Sequence, residues 1–443
     1  MKQEIVTKEI QNDGLTPMLV YKALGGKGCC MLESAYERGE GRTSVIGIDP
    51  IATFTAEGTS ITEEIRGSKK AYTRDPYDAL KEFTLGQRAF GFVSYDAVRI
   101  KEQLPDRHAF DGVPDFFFHI YKTIITFDHN KQKVVCSHLG TLEELEMILG
   151  RCFQPLRMEP FPIPQQVEVD AELTNAEFAG LVEKAQEYIR AGDIFQVVLS
   201  RKLRAKTGAP AFEIYRALRQ TSPSSFHFFF EEEDFAVAGA SPELLISVQE
   251  GEITSMPIAG TCPKGVDPQT LLSDPKECAE HVMLVDLARN DVGAIALPGS
   301  VQVAEYMSIK SFSHVSHILS RVTGKIDPSF HCLDVLKSAL PAGTLSGAPK
   351  VRAMEIIDEL EHSRRGIYGG AIVSLDENGS MMSCIAIRMA MIRGSDVEIR
   401  VGAGIVLDSV GEKEAKETEA KAQGVIAALE LAEGGCVYAT HYR

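Results

Sequence analysis

Phe228-Phe229-Phe230-Glu231-Glu232-Glu233-Asp234-Phe235-Ala236-Val237-Ala238 is the stretch whose reading decides the fold class. Two short apolar runs flank an acidic tip, the pattern of buried strands joined by a solvated turn rather than of a metal site. Working outward, Glu250-Gly251, Asn378-Gly379 and Arg393-Gly394 punctuate further apolar runs in the same way. Glycine supplies the positive φ that a tight hairpin requires. Strands joined by hairpins run antiparallel. The class is therefore α+β, antiparallel sheets with helices laid on them. No short-period repeat is present.

Towards the N-terminus, residues 1–153 alternate short apolar runs with Gly and Asp turns. Ala89-Phe90-Gly91-Phe92-Val93-Ser94-Tyr95 and Ile120-Tyr121-Lys122-Thr123-Ile124-Ile125-Thr126-Phe127 read as strands. Pro155, Pro160, Pro162 and Pro164 mark residues 154–173 as a crossing linker. A second part, 174–443, opens with a helix. Thr174 and Glu177 form a capping box, Phe178, Leu181, Val182, Ala185 and Ile189 make one apolar stripe, and Gly192 ends it. The strand Ile194-Phe195-Gln196-Val197-Val198-Leu199-Ser200 follows.

With 443 residues, 44% of them hydrophobic, the chain can bury one large core or two ordinary ones. The absence of a long apolar run and of a basic-then-apolar leader leads us to expect a cytoplasmic protein that does not span a membrane. The nine cysteines are scattered without CxxC or Cys/His metal spacing, so reduced thiols are expected. A formal charge of −16 argues against nucleic acid or an anionic membrane as partner. It also disfavours whole-molecule steering of an anionic substrate, which local groups must hold instead.

Four segments could supply those groups. In Asp274-Pro275-Lys276-Glu277-Cys278-Ala279-Glu280-His281, Asp274 can cap a helix with Pro275 at its first position, and Glu277 and Glu280 share one face. In Glu414-Ala415-Lys416-Glu417, continuing to Lys421, Glu414, Glu417 and Lys421 share another. Two such helices could cage a hard cation such as Mg²⁺ through oxygen ligands. Each pair alone reads first as ordinary surface glutamates on amphipathic helices, and Glu417 with Lys421 equally as a plain i, i+4 ion pair. Pro341-Ala342-Gly343-Thr344-Leu345-Ser346-Gly347-Ala348-Pro349-Lys350 precedes a helix at Val351–Leu360, whose N-terminal N–H groups suit a carboxylate; a merely capped loop is the alternative. Gly402-Ala403-Gly404 after the strand Val397–Val401 would let backbone approach a ligand, or simply turn a strand end. His317, Arg388, Tyr368 and Glu243, taken singly, read as structural residues.

The segments together, in their order and spacing, resemble the chorismate-utilising enzymes, and within them the component I branch of the anthranilate synthases. Gly192–Ser200, Ser241-Pro242-Glu243-Leu244-Leu245, Pro257-Ile258-Ala259-Gly260-Thr261 and Glu280–Asp291 carry the likeness. So do Pro341–Lys350, Ile385-Ala386-Ile387-Arg388 and Gly402-Ala403-Gly404-Ile405-Val406 with Asp408-Ser409. It is dense from residue 174 and thinner before, where Leu32-Glu33-Ser34 and Gly91–Asp96 fit.

The resemblance implies two packed antiparallel sheets flanked by helices. It implies Glu280 and Glu417 as direct Mg²⁺ ligands, Glu277 and Glu414 acting directly or through water, and the metal holding the ring carboxylate of chorismate. Arg388, Tyr368 and backbone N–H groups near Gly402 and Gly404 would clamp the enolpyruvyl carboxylate, with Lys421 on the metal-side face. Thr344 and His317 would stand near the reacting ring. Ammonia would add at ring C2 as the C4 hydroxyl leaves, protonated by Glu243, and loss of the C2 proton and of pyruvate, assisted by His317, would give anthranilate.

Gln196 stands where water-adding isochorismate and salicylate synthases carry a lysine base, and Ala259 where aminodeoxychorismate synthases often carry a lysine nucleophile. Both positions favour direct ammonia attack. Aminodeoxychorismate synthase, a synthase stopping at aminodeoxyisochorismate, and a non-catalytic regulatory relative are the competing readings. Glu33, Ser34, Arg42 and Ser44 match one half of a tryptophan regulatory pocket. Ser222-Pro223-Ser224-Ser225-Phe226-His227-Phe228 replaces the usual Asn-Pro-Ser-Pro-Tyr-Met-Phe of the other half. No Gly-x-Cys-x-Gly turn is present, so the resemblance implies a separate glutaminase subunit, in a heterotetramer, as the ammonia source.

Overall fold

Two long strands, Thr43–Glu57 and Phe116–Asp128, pair antiparallel and bend together where their register slips between Pro50 and Ala52. Asp49, in the left-handed region at φ 56°, starts the bend. Their two halves therefore belong to different sheets, the way a corner is made when strands pass from one layer to the next. The computed structural model describes the chain except residues 1–3, 13, 35–41, 111, 155–156, 162, 264, 312–314 and 435–443.

From one half of this corner runs the first sheet, through Cys29–Ser34, Phe226–Glu231, Ala236–Ser241, Met389–Arg393 and Asp396–Ile405 to Gln196–Lys206. The other half starts the second sheet. It continues through Ala89–Val93, Ala371–Leu375, Met381–Ile385, Leu244–Gln249 and Glu252–Ser255 to Val315–Lys325. Every pairing named is antiparallel. Phe90, Phe92 and Phe117 of one sheet meet Phe226, Phe228, Phe230 and Met391 of the other in one buried cluster between the layers. Helices Pro17–Leu24, Leu142–Cys152, Ala211–Thr221 and Gly411–Glu433 cover the outer face of the first sheet. Pro76–Phe83, Pro275–Gly293 and Cys332–Ala339 cover that of the second. The α+β class expected from the hairpins and the two packed antiparallel sheets that the resemblance implies are present, with one addition: the hydrogen bonds of the corner strands join both layers into a single network.

Local readings hold where short-range chemistry sets them. Helix Asn175–Ala191 has the Thr174/Glu177 capping box and ends on left-handed Gly192. Glu250 and Gly251, at φ 50° and 78°, make the expected tight hairpin. Two readings are corrected. The acidic tip after Phe230 is not simply solvated: Glu231 accepts a hydrogen bond from the Tyr21 hydroxyl at 3.1 Å, and Glu232 lies 3.0 Å from Nε2 of buried His119. Segment 154–173 is more than a crossing linker. Val169–Ala171 adds an edge strand against Leu203–Ala205, and Arg216 stacks 3.8 Å from the centroid of Phe161. Strands from either side of this segment share both sheets, as when Cys29–Ser34 pairs with Phe226–Glu231 and Ala89–Val93 with Ala371–Leu375.

Among the described residues, the cysteines are free thiols, all buried except the half-buried Cys278; Cys436 lies outside them. No described helix is long and apolar enough to cross a membrane.

Candidate active site

The chain crosses between the two sheets at a second place, twice, and the crossings are neighbours. Strand Ala236–Ser241 of the first sheet leads through Pro242 and Glu243 into Leu244–Gln249 of the second. Strand Met381–Ile385 of the second returns through Ala386, Ile387 and Arg388 to Met389–Arg393 of the first. Backbone bonds tie the two crossings together, Ala240 N to Arg388 O at 3.0 Å and Ile385 N to Glu243 O at 3.1 Å. Arg388 sits in the left-handed region at φ 52°, a conformation that a non-glycine residue holds only where its surroundings enforce it.

Both crossings open onto a cavity of about 880 Å³ between the sheets and the helices Pro275–Gly293 and Gly411–Glu433. Its lining includes Glu243, His317 and Thr344; Tyr368, Arg388, Gly402, Gly404 and Lys421; Glu277, Glu280, Glu414 and Glu417; and Gln196 and Ala259. These positions run from residue 196 to residue 421 and meet in one space.

Glu243 is held by the Thr344 hydroxyl, which donates to Oε1 at 3.0 Å. Removal from water pushes its carboxyl up to about 7, against the opposing pull of the Thr344 hydrogen bond and the Lys421 charge. Near neutrality it can hold a proton and give it up. Nδ1 of His317 lies 2.6 Å from the carbonyl of Gly260, which fixes that nitrogen as the donor and the ring's orientation. Gly260, at φ +67°, lacks a Cβ where one would stand 2.9 Å from Oε2 of Glu277.

On the opposite wall, strand Gln196–Lys206 pairs with Asp396–Ile405 in a register that sets Ser200 against Gly402 and Val198 against Gly404. A Cβ on Gly402 would stand 2.7 Å from the Leu199 carbonyl and 2.9 Å from the Tyr368 hydroxyl; one on Gly404 would meet Nε2 of Gln196 at 2.8 Å. The glycines are thus required for close approach. Burial pushes the Tyr368 phenol up to about 12, so it stays a hydrogen-bond donor. Arg388, largely removed from water and held somewhat below the usual guanidinium range by that burial, makes no side-chain hydrogen bond or ion pair among the described residues. An unpaired cation beside a phenol donor and backbone stripped of side chains suits a carboxylate.

Asp274 caps the helix that begins at Pro275, accepting from Glu277 N at 3.4 Å, and places Glu277 and Glu280 towards the cavity. Glu414 and Glu417 face it from the other helix. The i, i+4 pair is present too: Lys421 Nζ lies 2.6 Å from Glu417 Oε1 and donates to the Gly402 carbonyl at 2.9 Å. An all-carboxylate donor set matches the chemistry of a hard divalent cation. Among the described residues no three acidic, histidine or cysteine side chains already converge on one point. The set fits Mg²⁺ only with oxygens from water or substrate completing the coordination.

The Pro341–Lys350 loop contributes Thr344 and Leu345 to the lining, whereas the N-terminus of the following helix, Lys350–Leu360, does not reach it, which favours the capped-loop alternative there. Lys350 at that terminus is instead paired with Asp291 at 3.0 Å.

Glu33, Ser34, Arg42 and Ser44 do not line the cavity. The buried Glu33 carboxylate is taken by Arg219 Nε at 2.6 Å, the Tyr215 hydroxyl at 2.6 Å and the Ser44 hydroxyl at 3.2 Å. Ser34 pairs in register with Phe226, next to Ser225 of the cavity wall. Arg42 is exposed, its backbone carbonyl bonded to His129 N.

Sequence reasoning missed Arg400, which lines the cavity, and the buried network behind it. Glu361 receives Ser200 N at 2.7 Å and Arg400 at 3.0 Å and pairs with Arg365, whose Nη2 donates to the Val198 carbonyl at 2.7 Å. Parity offered a signal for Arg400: it shares a strand face with Gly402 and Gly404. Glu361 and Arg365 stand four residues apart, but nothing local marks that pair as buried.

The family profile described as chorismate binding enzyme matches residues 27–427. Anthranilate synthase component 1 of Acetivibrio thermocellus is 37% identical over 96% of this chain and 95% of its own. The Lactococcus lactis protein of the same name is 38% identical over 95% and 98%. Among solved structures, anthranilate synthase component I from Streptococcus pneumoniae superposes with a TM-score of 0.80 at 34% identity, covering 94% of this chain and 99% of that one. The menaquinone-specific isochorismate synthase from Escherichia coli, at 18% identity and a TM-score of 0.75 over 97% and 95%, shares the fold. A full-length match of this kind, on a chain whose candidate groups converge on one cavity, makes it a member of the chorismate binding enzyme family.

Proposed function

We propose that this chain is a lyase of tryptophan biosynthesis that converts chorismate and ammonia to anthranilate, pyruvate and water. The observation that carries the reading is the company Glu243 keeps. A carboxylic acid poised near neutrality and Arg388, which makes no side-chain hydrogen bond or ion pair among the described residues, line one cavity in which Gln196 and Ala259 offer no amine nucleophile or base. The near full-length relatives named anthranilate synthase component 1 support the same product.

Arg388 and the Tyr368 hydroxyl, with backbone N–H groups at Gly402 and Gly404, bind the enolpyruvyl carboxylate. Glu277, Glu280, Glu414 and Glu417 would hold Mg²⁺, which supplies positive charge to fix the ring carboxylate. Lys421 sits on that side and restrains Glu417. Ammonia forms a bond to C2 with its lone pair, the ring double bonds shift, and the C4–O bond breaks. Glu243, oriented by Thr344, gives its proton to the departing hydroxyl, which leaves as water. The C2 proton is then removed, with His317 assisting, as the bond to the enolpyruvyl oxygen breaks. The ring gains aromaticity and the side chain leaves as pyruvate.

The ammonia comes from glutamine through a separate glutaminase subunit, in a heterotetramer, and free ammonium substitutes for it. Glu33, Ser34, Arg42 and Ser44 belong to a separate effector region; because Glu33 is already satisfied by Arg219, Tyr215 and Ser44, it responds weakly to tryptophan.

Incubation of the purified chain with chorismate, Mg²⁺ and ammonium at mildly alkaline pH, with products identified by chromatography and mass, tests the proposal. Anthranilate with an equal amount of pyruvate is expected. An aminodeoxychorismate or aminodeoxyisochorismate product without pyruvate would overturn it.

A further inference from the structure

Gly404 and Gly402 begin a row of residues that leads away from the active site. Strands Gln196–Lys206 and Asp396–Ile405 set Val198 against Gly404 and Ser200 against Gly402. The next alternate pairs are Lys202 with Arg400, Arg204 with Glu398 and Lys206 with Asp396. Alternate positions share one face of a sheet, and at about 3.4 Å per residue the row runs about 20 Å from Gly402 to Asp396. Burial falls along it. Arg400 and Lys202 are buried, Glu398 is half-buried, and Asp396, Arg204 and Lys206 are exposed.

Three cavities follow the same row. Gly402 and Arg400 line the active-site cavity. Arg400 and Glu398 line a second, of about 30 Å³, together with Lys202, Tyr368 and Met391. Glu398 and Asp396 line a third, of about 620 Å³, together with Arg204, Lys206, Met391 and Arg393. Neighbouring cavities therefore share walls, Tyr368 and Arg400 at one joint, Met391 and Glu398 at the next. The middle cavity has room for about one or two water molecules, so the row is shut at rest. What shuts it can move. Met391 carries an unbranched, flexible thioether. Lys202 is a cation on a flexible stem, held by Glu398 at 3.0 Å, and Glu398 has a second cation, Arg393, at 3.9 Å.

We propose that this row is the route by which pyruvate leaves. The inference rests on the lyase reaction proposed above. That reaction frees a three-carbon anion beside Arg388 and Tyr368 while the aromatic product is still held on the metal side of the same cavity. Tyr368 and Arg400 form the wall there, and behind it Lys202, then Arg393, Arg204 and Lys206, offer a carboxylate a cation at each step. In a chain of net charge −16 such a succession is a local feature. Two packed apolar side chains would join the strands at least as well as Lys202 with Glu398, because burying a charge pair costs desolvation. A cation that can pass from Glu398 to a travelling carboxylate accounts for its place.

The test follows single and multiple turnovers of the purified chain with chorismate, Mg²⁺ and ammonium. Acid quenching measures anthranilate formed on the enzyme, and lactate dehydrogenase with NADH measures pyruvate free in solution. Met391→Phe fills and stiffens the middle cavity. Lys202→Met removes the cation and keeps the length, and Lys202→Met with Glu398→Gln does so without leaving a charge unpaired. We expect the quenched single-turnover rate to stay within about twofold of wild type and pyruvate release to slow at least about fivefold, so that multiple turnovers open with a burst of about one anthranilate per chain. Circular dichroism checks the fold, and should Met391→Phe not fold, the two Lys202 variants decide. Free pyruvate that keeps pace with quenched anthranilate as in wild type would overturn the route and leave Lys202 and Glu398 a structural ion pair. So would equal slowing of both signals. Wild-type chain that forms no pyruvate from ammonium would instead overturn the underlying reaction.

Discussion

Thr344 donates its hydroxyl to Oε1 of Glu243 at 3.0 Å, joining a loop to a sheet crossing within the lining of the cavity. The bond stabilises the ionised carboxylate, while desolvation, the larger effect, favours the neutral acid. Glu243 is thereby left near neutrality, usable as an acid and still able to recover its proton.

Glu243→Gln is expected to lower turnover by about 10²–10⁴-fold, the contribution of a general acid. It should also change stability with a definite sign. The folded value of about 7 lies above the ordinary 4.5, so the stability linked to this group is fully present below about 4.5 and lost as pH rises through about 7. The Gln variant should match wild type near pH 4.5 and exceed it above pH 7 by up to about 3 kcal/mol. Urea denaturation of both proteins at the two pH values checks this.

Thr344→Val removes the hydrogen bond that pulls Glu243 down, so the acid should titrate higher. The alkaline limb of turnover, normalised to neutral ammonia, should move upward by up to about one pH unit while the maximum falls. A pH–rate profile at saturating chorismate reads this; an unmoved limb would mean that another group supplies the proton.

Glu280→Gln should abolish nearly all activity with the fold retained, because an amide cannot replace an anionic oxygen ligand to a hard cation. Circular dichroism should be unchanged, and calorimetric titration with Mg²⁺ in the presence of chorismate should show lost or greatly weakened binding. Full turnover in this variant would remove Glu280 from the metal site.

Gly402→Ala places a methyl group 2.7 Å from the Leu199 carbonyl and 2.9 Å from the Tyr368 hydroxyl. The carbonyl is locked in the sheet, so Tyr368 must move. A loss of about 1–3 kcal/mol in stability is expected from overpacking. KM for chorismate should rise more than kcat falls if Tyr368 acts in binding as proposed.

Tryptophan at millimolar concentration should leave anthranilate formation nearly unchanged, because both Glu33 oxygens already have partners in Arg219, Tyr215 and Ser44. Steep inhibition in a steady-state assay would show that an effector displaces them.

Much of the fold was legible because its signals are short-ranged. Thr174, Glu177 and Gly192 bound a helix through backbone bonds within one turn, and Glu250-Gly251 closes a hairpin through its own φ values. Glu277 with Glu280, and Glu417 with Lys421, share helix faces by spacing alone. The misreadings involve distant partners. The acidic tip looked solvated because His119, which receives Glu232, lies more than a hundred residues away. Residues 154–173 looked like a linker because an edge strand depends on a neighbour that its own composition does not reveal. Arg400 could have been found by parity with Gly402 and Gly404. Glu361 and Arg365 share an i, i+4 spacing, but their burial and their partners Ser200, Val198 and Arg400 have no local pattern.

By itself the sequence determined the antiparallel hairpins, the capped helices and the carboxylate pairs, all consequences of covalent spacing and backbone geometry. The tertiary structure alone decided that helices Pro275–Gly293 and Gly411–Glu433 face one cavity, and that Glu33 meets Arg219 in a separate cluster. It also decided that Glu243 titrates near neutrality. Proximity between distant segments is set by how two sheets pack, and a carboxyl's affinity for its proton by how much water the whole surrounding fold excludes.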